Sequence, residues 1–252
     1  MIKIGWIDYI NTYPFNFEFT NLKPNFDYML VKGVPSQINK LLRKNKIDAG
    51  CISSAEYLEN KKKYVLLNDL SVSANNKVFS VAIFSNIEIS DIETIYLSKA
   101  SKSSRYLTKI FLEFFLNKKV EYKELESYEN IEDKTVLLIG DNAIKFSKKF
   151  RYIYDLSKIW KENTGYPFVF AVWAVDKDFY LENKNIVFEL ENILKLSKRR
   201  FFSNLSFYIK KIDFDDKDFL TKYFKSLNYD LSETHLESLK KFEEYIKKLR
   251  GI

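Results

Sequence analysis

The chain has 252 residues, of which 46% are hydrophobic and 17% aromatic, so it can build one large domain or two smaller ones and is not a disordered protein. Its net charge of +7 would suit nucleic acid, but lysine is spread along the whole chain among Asp and Glu and not concentrated in one segment. The single cysteine, Cys51, excludes an internal disulfide and a multi-cysteine metal site.

The first third of the chain alternates between predicted strands and helices. The predicted strands are residues 2–9, 26–31 and 48–52, and the helices after them begin near Pro14, Pro35 and Ser54. Such a β-α-β-α-β-α series is expected to form a parallel sheet that binds ligands at the carboxyl ends of its strands.

Residues 65–72 and 78–85 predict two more strands, and the pattern restarts after Asn86. The restarted part predicts strands at 93–97, 120–125 and 135–139, with a helix that begins after the serine-rich loop at 101–104. This restart predicts a second α/β lobe.

A turn at Thr164-Gly165-Tyr166-Pro167 precedes an apolar run, residues 168–175. That run predicts a strand buried on both faces, which would carry the chain back to the first lobe, and residues 178–252 predict helices. We therefore expect lobe I to contain 1–86 plus 175–252 and lobe II to contain 87–174, with a ligand cleft between them.

Small hydroxyl and amide side chains gather in the loops at the predicted strand ends. They are Asn11, Thr12, Ser36, Ser53, Ser54, Ser80, the serines of 101–104, and Thr164 with Gly165. Hydroxyls at helix N termini suit carboxylates, because the helix dipole and backbone N–H groups favour negative charge there, although each serine is also a good helix cap. Their shared position at strand ends favours a site for an anionic small molecule.

Other candidates for catalysis are few. The only histidine, His235, lies in the polar helical tail and is expected at the surface, so no Ser-His-Asp or Cys-His triad is predicted. Cys51 lies in a predicted buried strand and is expected to act as a small hydrophobic residue. Asp141, at a predicted strand–helix junction, is suited either to cap a helix or to contact a ligand. Asp8 and Glu56 are candidate acids without a neighbouring carboxylate.

No segment has the features of a signal peptide, because residues 1–6 run directly into a strand pattern, and no window approaches the roughly 20 apolar residues of a membrane span. We expect a cytoplasmic protein with no membrane partner, no nucleic-acid partner and no metal.

Several strings of the chain occur together and in a fixed order. They are residues 5–14, 33–36, 48–57, 78–81, 101–104, 138–143, 154–156 and 160–173. Between about residues 2 and 175 the chain closely resembles the chorismate dehydratase family of the futalosine route to menaquinone, and TGYPFVFAVW at 164–173 is the most specific string. Ser103 stands where the family usually has threonine, which keeps the hydroxyl.

This resemblance implies an α/β fold of the type 2 periplasmic-binding-protein kind, with two lobes closing on a ligand, used by a cytosolic enzyme that needs no cofactor. The implied reaction removes water from chorismate to give 3-[(1-carboxyvinyl)oxy]benzoate. The implied substrate-binding residues are Ser36, Ser53, Ser54, Ser101, Ser103, Ser104, Asp141, Thr164 and Gly165.

The identity of the general base is the open point of this mechanism. The matched strings contain no histidine and no pair of carboxylates, so we hypothesise that the enolpyruvyl carboxylate of chorismate takes the ring proton itself. In this hypothesis Asn11 and Ser80 are the catalytic residues: Asn11 holds that carboxylate and Ser80 assists. Asp8 or Asp141 as the base is the rival.

Two other functions fit the same fold. One is a non-catalytic solute-binding protein, against which the missing export signal counts. The other is the sister enzyme of the pathway, which forms 1,4-dihydroxy-6-naphthoate and is expected to have a histidine near its active cleft, whereas His235 lies outside every matched string. The oligomeric state is left open.

Overall fold

The computed structural model describes all residues from 1 to 252. The chain forms two compact units, the first from residues 1–73 and 169–232 and the second from 74–168 and 233–252. Each unit is built on one five-stranded sheet covered by helices.

Ten strands form the two sheets: β1 (Ile2–Trp6), β2 (Tyr28–Lys32), β3 (Ala49–Ser53), β4 (Tyr64–Ala74), β5 (Val81–Ser85), β6 (Thr94–Leu97), β7 (Glu121–Glu124), β8 (Val136–Ile139), β9 (Tyr152–Asp155) and β10 (Phe168–Asp176). Eleven α-helices connect and cover them: α1 (Tyr13–Asn16), α2 (Pro35–Arg43), α3 (Ser54–Glu59), α4 (Lys102–Ile110), α5 (Gly140–Phe146), α6 (Leu156–Thr164), α7 (Lys177–Glu182), α8 (Lys184–Ser203), α9 (Leu205–Lys211), α10 (Lys217–Ser226) and α11 (Glu233–Arg250). None of these helices is both long enough and apolar enough to cross a membrane.

The first sheet has the order β2-β1-β3-β10-β4. β1 is parallel to β2 and β3, as the alternating strand–helix series predicts, whereas β10 runs antiparallel to β3. Helix α2 packs so closely on this sheet that a Cβ atom on Gly5 would lie 2.7 Å from Ile38 Cγ2, so only glycine fits there.

The opposite face of the first sheet carries the aromatic core of this unit. Trp6, Cys51 and Trp173 lie side by side on β1, β3 and β10, since Trp173 pairs with Cys51 in register. The Phe15 ring from α1 covers them, 5.7 Å from Trp173, and Tyr229 packs on Phe15 at 5.5 Å. All five side chains are buried, and their removal from water stabilises this unit.

The second sheet has the order β7-β6-β8-β5-β9. β6 is parallel to β7 and β8, and β5 runs antiparallel to both β8 and β9. In this unit Trp160 of α6 is fully buried against Phe168 and against Phe242 of α11, with ring centroids 5.4 and 5.8 Å away. Its indole N–H donates to Ser238 Oγ at 3.1 Å, so the C-terminal helix completes the core of the second unit.

The boundaries of the compact units differ from the expected lobe boundaries. Residues 74–86 belong to the second unit because β5 pairs with β8 and β9, and residues 233–252 belong to it because α11 packs around Trp160. The sequence pattern also failed to predict β9. The expectation that His235 lies at the surface is wrong: this side chain is 7% exposed at the start of α11.

Candidate functional site

In the first unit, the predicted site residues follow the carboxyl ends of the parallel strands. Asn11 comes after β1, Ser36 lies in the first turn of the helix after β2, and Ser53 is the last residue of β3. Because parallel strands end at the same edge of a sheet, these three residues share one edge of the first sheet.

Asn11 lies in a turn that is held by its neighbours. The Thr12 hydroxyl donates to the Tyr9 carbonyl at 2.8 Å, and the Asn16 amide donates to the Ile7 carbonyl at 2.8 Å, which fixes a short 3₁₀ helix over residues 10–12. Within this rigid turn the Asn11 Oδ1 atom is buried and accepts no hydrogen bond. A buried acceptor without a donor costs about 1–3 kcal/mol, so Asn11 is suited to receive a donor from a ligand.

Ser53 and Ser54 are both buried, and Ser53 already has polar partners. Ser53 Oγ caps α3 by accepting from the Glu56 N–H at 3.3 Å, and it also accepts from the Asn39 amide at 2.8 Å. The Ser53 hydroxyl therefore shapes the edge of the sheet, and the groups presented there include the backbone at the start of α3.

In the second unit, the predicted residues also gather at one edge of the sheet. Parallel β6 and β8 end at this edge, the first before the loop with Ser101 and the second before Gly140 and Asp141. Antiparallel β5 begins there, directly after Ser80, whose carbonyl accepts from the Gly140 N–H at 2.7 Å. The structure thus brings Ser80 next to the turn that carries the exposed Asp141.

The serine-rich loop caps α4. Ser101 Oγ accepts from the Ser104 N–H at 3.2 Å and lies 2.9 Å from Ser104 Oγ, while Ser103 and Ser104 are buried. A nine-residue helix that begins in this loop directs its positive dipole end and its first N–H groups toward the sheet edge. These features suit an anion.

A carboxylate that the sequence did not single out holds the loop before Ser80. Asp155, at the end of β9, accepts hydrogen bonds from the N–H groups of Val78 and Phe79 through Oδ2 at 2.9 and 2.8 Å. Burial raises the pKa of the Asp155 carboxyl above its usual range, and the backbone hydrogen bonds and Lys77 oppose this rise.

Thr164 is the last residue of α6 and Gly165 follows it, about 13 Å from the start of this helix, which Asp155 caps. The Thr164 hydroxyl donates to the Trp160 carbonyl at 2.7 Å, and the Gly165 N–H donates to the Lys161 carbonyl at 2.9 Å. Gly165 has φ +78°, as the residue after a helix often does. The Tyr166 N–H also has a partner within this turn, the Thr164 hydroxyl at 3.3 Å.

The remaining candidates from the sequence have structural partners. Glu56 is buried and accepts from Arg43 at 2.8 Å and from the Tyr64 hydroxyl at 3.1 Å. Asp8 forms an exposed ion pair with Lys32. Cys51 is buried, as expected of a small hydrophobic residue, and this burial raises the pKa of its thiol to about 12. No group of three or more His, Cys, Asp or Glu side chains is arranged to hold a metal ion.

Two supporting residues, Asn39 and Asp155, were missed by the reasoning from the sequence. Asn39 lies on α2, 14 residues before its partner Ser53, and the helical pattern gives no sign that a polar residue at this position is buried. Asp155 directly precedes α6, which is a signal for a helix cap, but its contact with a loop 77 residues earlier has no local signal.

Comparison with known proteins adds a family and a fold. A family model described as menaquinone biosynthesis matches residues 2–248. A chorismate dehydratase of Campylobacter jejuni is 30% identical, over 97% of this chain and 97% of its own length.

Two solved structures share the architecture. Protein AF1704 of Archaeoglobus fulgidus aligns with 100% of this chain and 98% of its own, with a TM-score of 0.79 and 17% identity. A Candida albicans protein described as having the generic periplasmic binding protein structural fold aligns over 99% of this chain and 94% of its own, with a TM-score of 0.69 and 11% identity. These likenesses confirm the predicted periplasmic-binding-protein-like fold.

Proposed function

Because the chain belongs to the menaquinone biosynthesis family, we propose that it is a chorismate dehydratase, a carbon–oxygen lyase that converts chorismate to 3-[(1-carboxyvinyl)oxy]benzoate and water. The observation that carries this proposal is the likeness to the Campylobacter chorismate dehydratase over nearly the whole of both chains. We place the reaction in the cytoplasm, and it needs no cofactor.

The proposed reaction requires the protein mainly to position chorismate and to stabilise the charge that develops on it. One ring proton and the neighbouring hydroxyl leave as water, and the ring becomes aromatic, so most of the driving force lies in the substrate. A protein that orients chorismate and excludes water lowers the remaining barrier.

We assign proton removal to the enolpyruvyl carboxylate of the substrate. Asn11 supports this role because its amide NH₂ can donate to a carboxylate, while its buried Oδ1, which has no partner within the protein, can accept from a hydroxyl of the substrate. Ser80, 1% exposed beside the Gly140 turn, assists. Of the rival bases, Asp141 is exposed, and Asp8 is exposed and forms an ion pair with Lys32.

Chorismate carries two carboxylates, and we assign their binding to the serine-bearing loops that follow the parallel strands. The start of α4 with Ser101, Ser103 and Ser104 supports this assignment best, because it combines hydroxyls with a helix N terminus. Ser36, Ser53 and Ser54 in the first unit complete the proposed set for the carboxylates, and Asp141, which is itself negatively charged, is proposed to contact another part of the substrate. A binding role for Thr164 and Gly165 stays a prediction, since their polar groups pair with α6.

The test is incubation of the purified protein with chorismate, followed by proton NMR for new aromatic ring signals. The expected result is stoichiometric conversion of chorismate to the enolpyruvyl benzoate, at a rate proportional to protein concentration. A sample without protein controls for spontaneous decay of chorismate. Tight binding of chorismate without conversion would overturn the proposal in favour of a solute-binding protein.

A further inference from the structure

Asp155 differs from an ordinary helix cap in using both of its carboxylate oxygens. Oδ1 caps α6 by accepting from the N–H groups of Ser157 and Lys158, each at 3.1 Å. Oδ2 accepts from Val78 and Phe79 at 2.9 and 2.8 Å, 77 and 76 residues earlier in the chain. The side chain is only 4% exposed, so these four backbone donors take the place of water around the carboxylate.

The loop that Oδ2 holds has an unusual backbone. Phe79 has φ 65°, in the left-handed region, which costs a bulky residue about 1–2 kcal/mol and is therefore uncommon outside glycine. The hydrogen bonds from Val78 and Phe79 to Asp155 supply the energy that keeps this conformation. Backbone strain that is held in place by surrounding groups is found most often at functional sites.

The residue that this strain orients is Ser80. Its position is fixed on one side by the strained Phe79 peptide and on the other by the hydrogen bond from Gly140 N–H to the Ser80 carbonyl, at 2.7 Å. If Phe79 relaxed to a negative φ, the chain direction at Ser80 would change and its hydroxyl would move with it.

We propose that Asp155 is a positioning residue, which sets the orientation of the Ser80 hydroxyl by clamping the Val78–Phe79 backbone. The inference rests on the proposed function, in which Ser80 assists proton removal from chorismate. Asp155 makes no contact with substrate in this role and acts only through the loop.

The chain contains a matched control for this proposal. Asp176 is also a buried aspartate at the start of a helix, and its Oδ1 accepts from the N–H groups of Asp178 and Phe179. Its carboxylate caps α7 in the way that the Asp155 carboxylate caps α6, but it accepts only from these two N–H groups and from no distant loop. A substitution at Asp176 removes only a helix cap, whereas the same substitution at Asp155 also affects the hydrogen bonds to Val78 and Phe79. Comparing the two variants therefore shows which effects come from the loop.

The decisive variants are Asp155→Asn and Asp176→Asn. In Asp155→Asn the remaining side-chain oxygen still accepts from the first N–H groups of α6. The new NH₂ group faces the N–H groups of Val78 and Phe79, and because an NH₂ group cannot accept from them, it no longer holds the loop. We expect kcat for chorismate to fall about 100-fold, the cost of a small misplacement of a catalytic group, with KM changed less than threefold. Asp176→Asn should keep both constants. Equal kcat in the two variants would overturn the proposal.

A rescue test excludes a merely structural effect. Phe79→Gly allows a positive φ without strain, so Asp155→Asn/Phe79→Gly should recover at least tenfold in kcat over Asp155→Asn, whereas no recovery would contradict the clamp. Asp155→Ser, whose hydroxyl can still cap α6, serves as a second single variant. If all Asp155 variants fail to fold by circular dichroism, the carboxylate is only structural and the proposal is wrong.

Amide hydrogen exchange tests the clamp without measuring activity, so it can be judged separately from the proposed function. The Val78 and Phe79 amides should exchange at least tenfold faster in Asp155→Asn than in the parent protein or in Asp176→Asn. Faster exchange in a protein that does not convert chorismate would support the clamp while the proposed function fails. Unchanged exchange would reject the clamp whatever the activity.

Discussion

Asn39 and Ser53 exchange two hydrogen bonds: the Asn39 amide donates to Ser53 Oγ at 2.8 Å, and the Ser53 N–H donates to Asn39 Oδ1 at 3.0 Å. Both residues are buried, so neither group has water as an alternative partner. The pair joins α2 to the end of β3 and thereby fixes the point where α3 begins.

Asn39→Ala should lower the free energy of unfolding by about 2–3 kcal/mol, because it leaves the Ser53 N–H buried and unpaired. Urea denaturation followed by circular dichroism measures this change. Asn68→Ala removes an exposed amide that pairs with Glu191, and it should cost less than about 0.5 kcal/mol. Equal losses of unfolding free energy in the two variants would show that the buried Asn39–Ser53 pair stabilises the protein no more than an exposed amide does.

Asn11→Ala should lower kcat for chorismate by about 100-fold or more while the dissociation constant changes only a few-fold, since Asn11 orients the carboxylate that takes the ring proton and is one of several groups assigned to bind the substrate. Steady-state kinetics and a direct binding titration give the two numbers. Asn21→Ala removes an exposed amide of the same kind and should leave both unchanged. Full turnover in Asn11→Ala would exclude the assigned role, and Asp141→Asn would then test the rival base.

Cys51 should resist thiol reagents in the folded protein. It is the only cysteine, it is buried, and with a pKa of about 12 its thiolate fraction at pH 8 is on the order of 10⁻⁴. Labelling with a chromogenic disulfide reagent should be at least about 1,000-fold slower in buffer than in guanidinium chloride. Rapid labelling of the native protein would contradict the packing of Cys51 beside Trp173.

Glu18 should make stability depend on pH in the acidic range. Burial alone would raise the pKa of Glu18, but hydrogen bonds from Tyr208, Arg200 and Asn21 outweigh it and hold the pKa below the usual value. The pKa is lower in the folded state, so the stabilisation is present above the unfolded pKa of about 4.3 and is lost as pH falls through the folded pKa.

Glu18→Gln should therefore be less stable than the parent protein by about 1 kcal/mol at pH 7, and the gap should shrink as the pH falls below about 4. Urea midpoints measured from pH 7 down to pH 3 test this. Glu244→Gln, which breaks an exposed pair with Lys241, should change stability by less than about 0.5 kcal/mol across the range. If the difference in unfolding free energy between Glu18→Gln and the parent protein were the same at every pH, the charge of Glu18 would not contribute to stability.

The local patterns were enough to predict the elements with strong periodicity or clear ends. Residues 168–175 read as a buried strand because an apolar run of that length follows a Gly-x-Pro turn, and β10 occupies 168–176. The parallel start of the first sheet followed from alternation of strands with helices. β9 was missed because four residues with two half-exposed tyrosines carry too short a pattern to distinguish from a loop.

Which sheet a strand joins has no local signal. β5 follows β4 by only six residues, and the two strands belong to different sheets, since β5 finds its partners in β8 and β9. His235 shows the same limit: its polar surroundings in sequence predicted exposure, but this side chain is buried in the second unit, whereas its neighbours Thr234 and Leu236 are exposed.

For the candidate site, the sequence predicted which loops matter but not how their groups are paired. Strand ends rich in serine were found at both sheet edges, as expected from the connection pattern. That Thr164 bonds back to α6, and that Asp155 reaches Val78, depend on side-chain directions that only the folded chain determines.

The placement of α11 has a consequence for the order in which this protein is assembled on the ribosome. Residues 74–168 are synthesised long before Ser238 and Phe242, the α11 residues that pair with and pack on Trp160. Until α11 is made, Trp160 lacks the Ser238 hydroxyl and the Phe242 ring, so the core of the second unit is completed only after residue 242 has been synthesised.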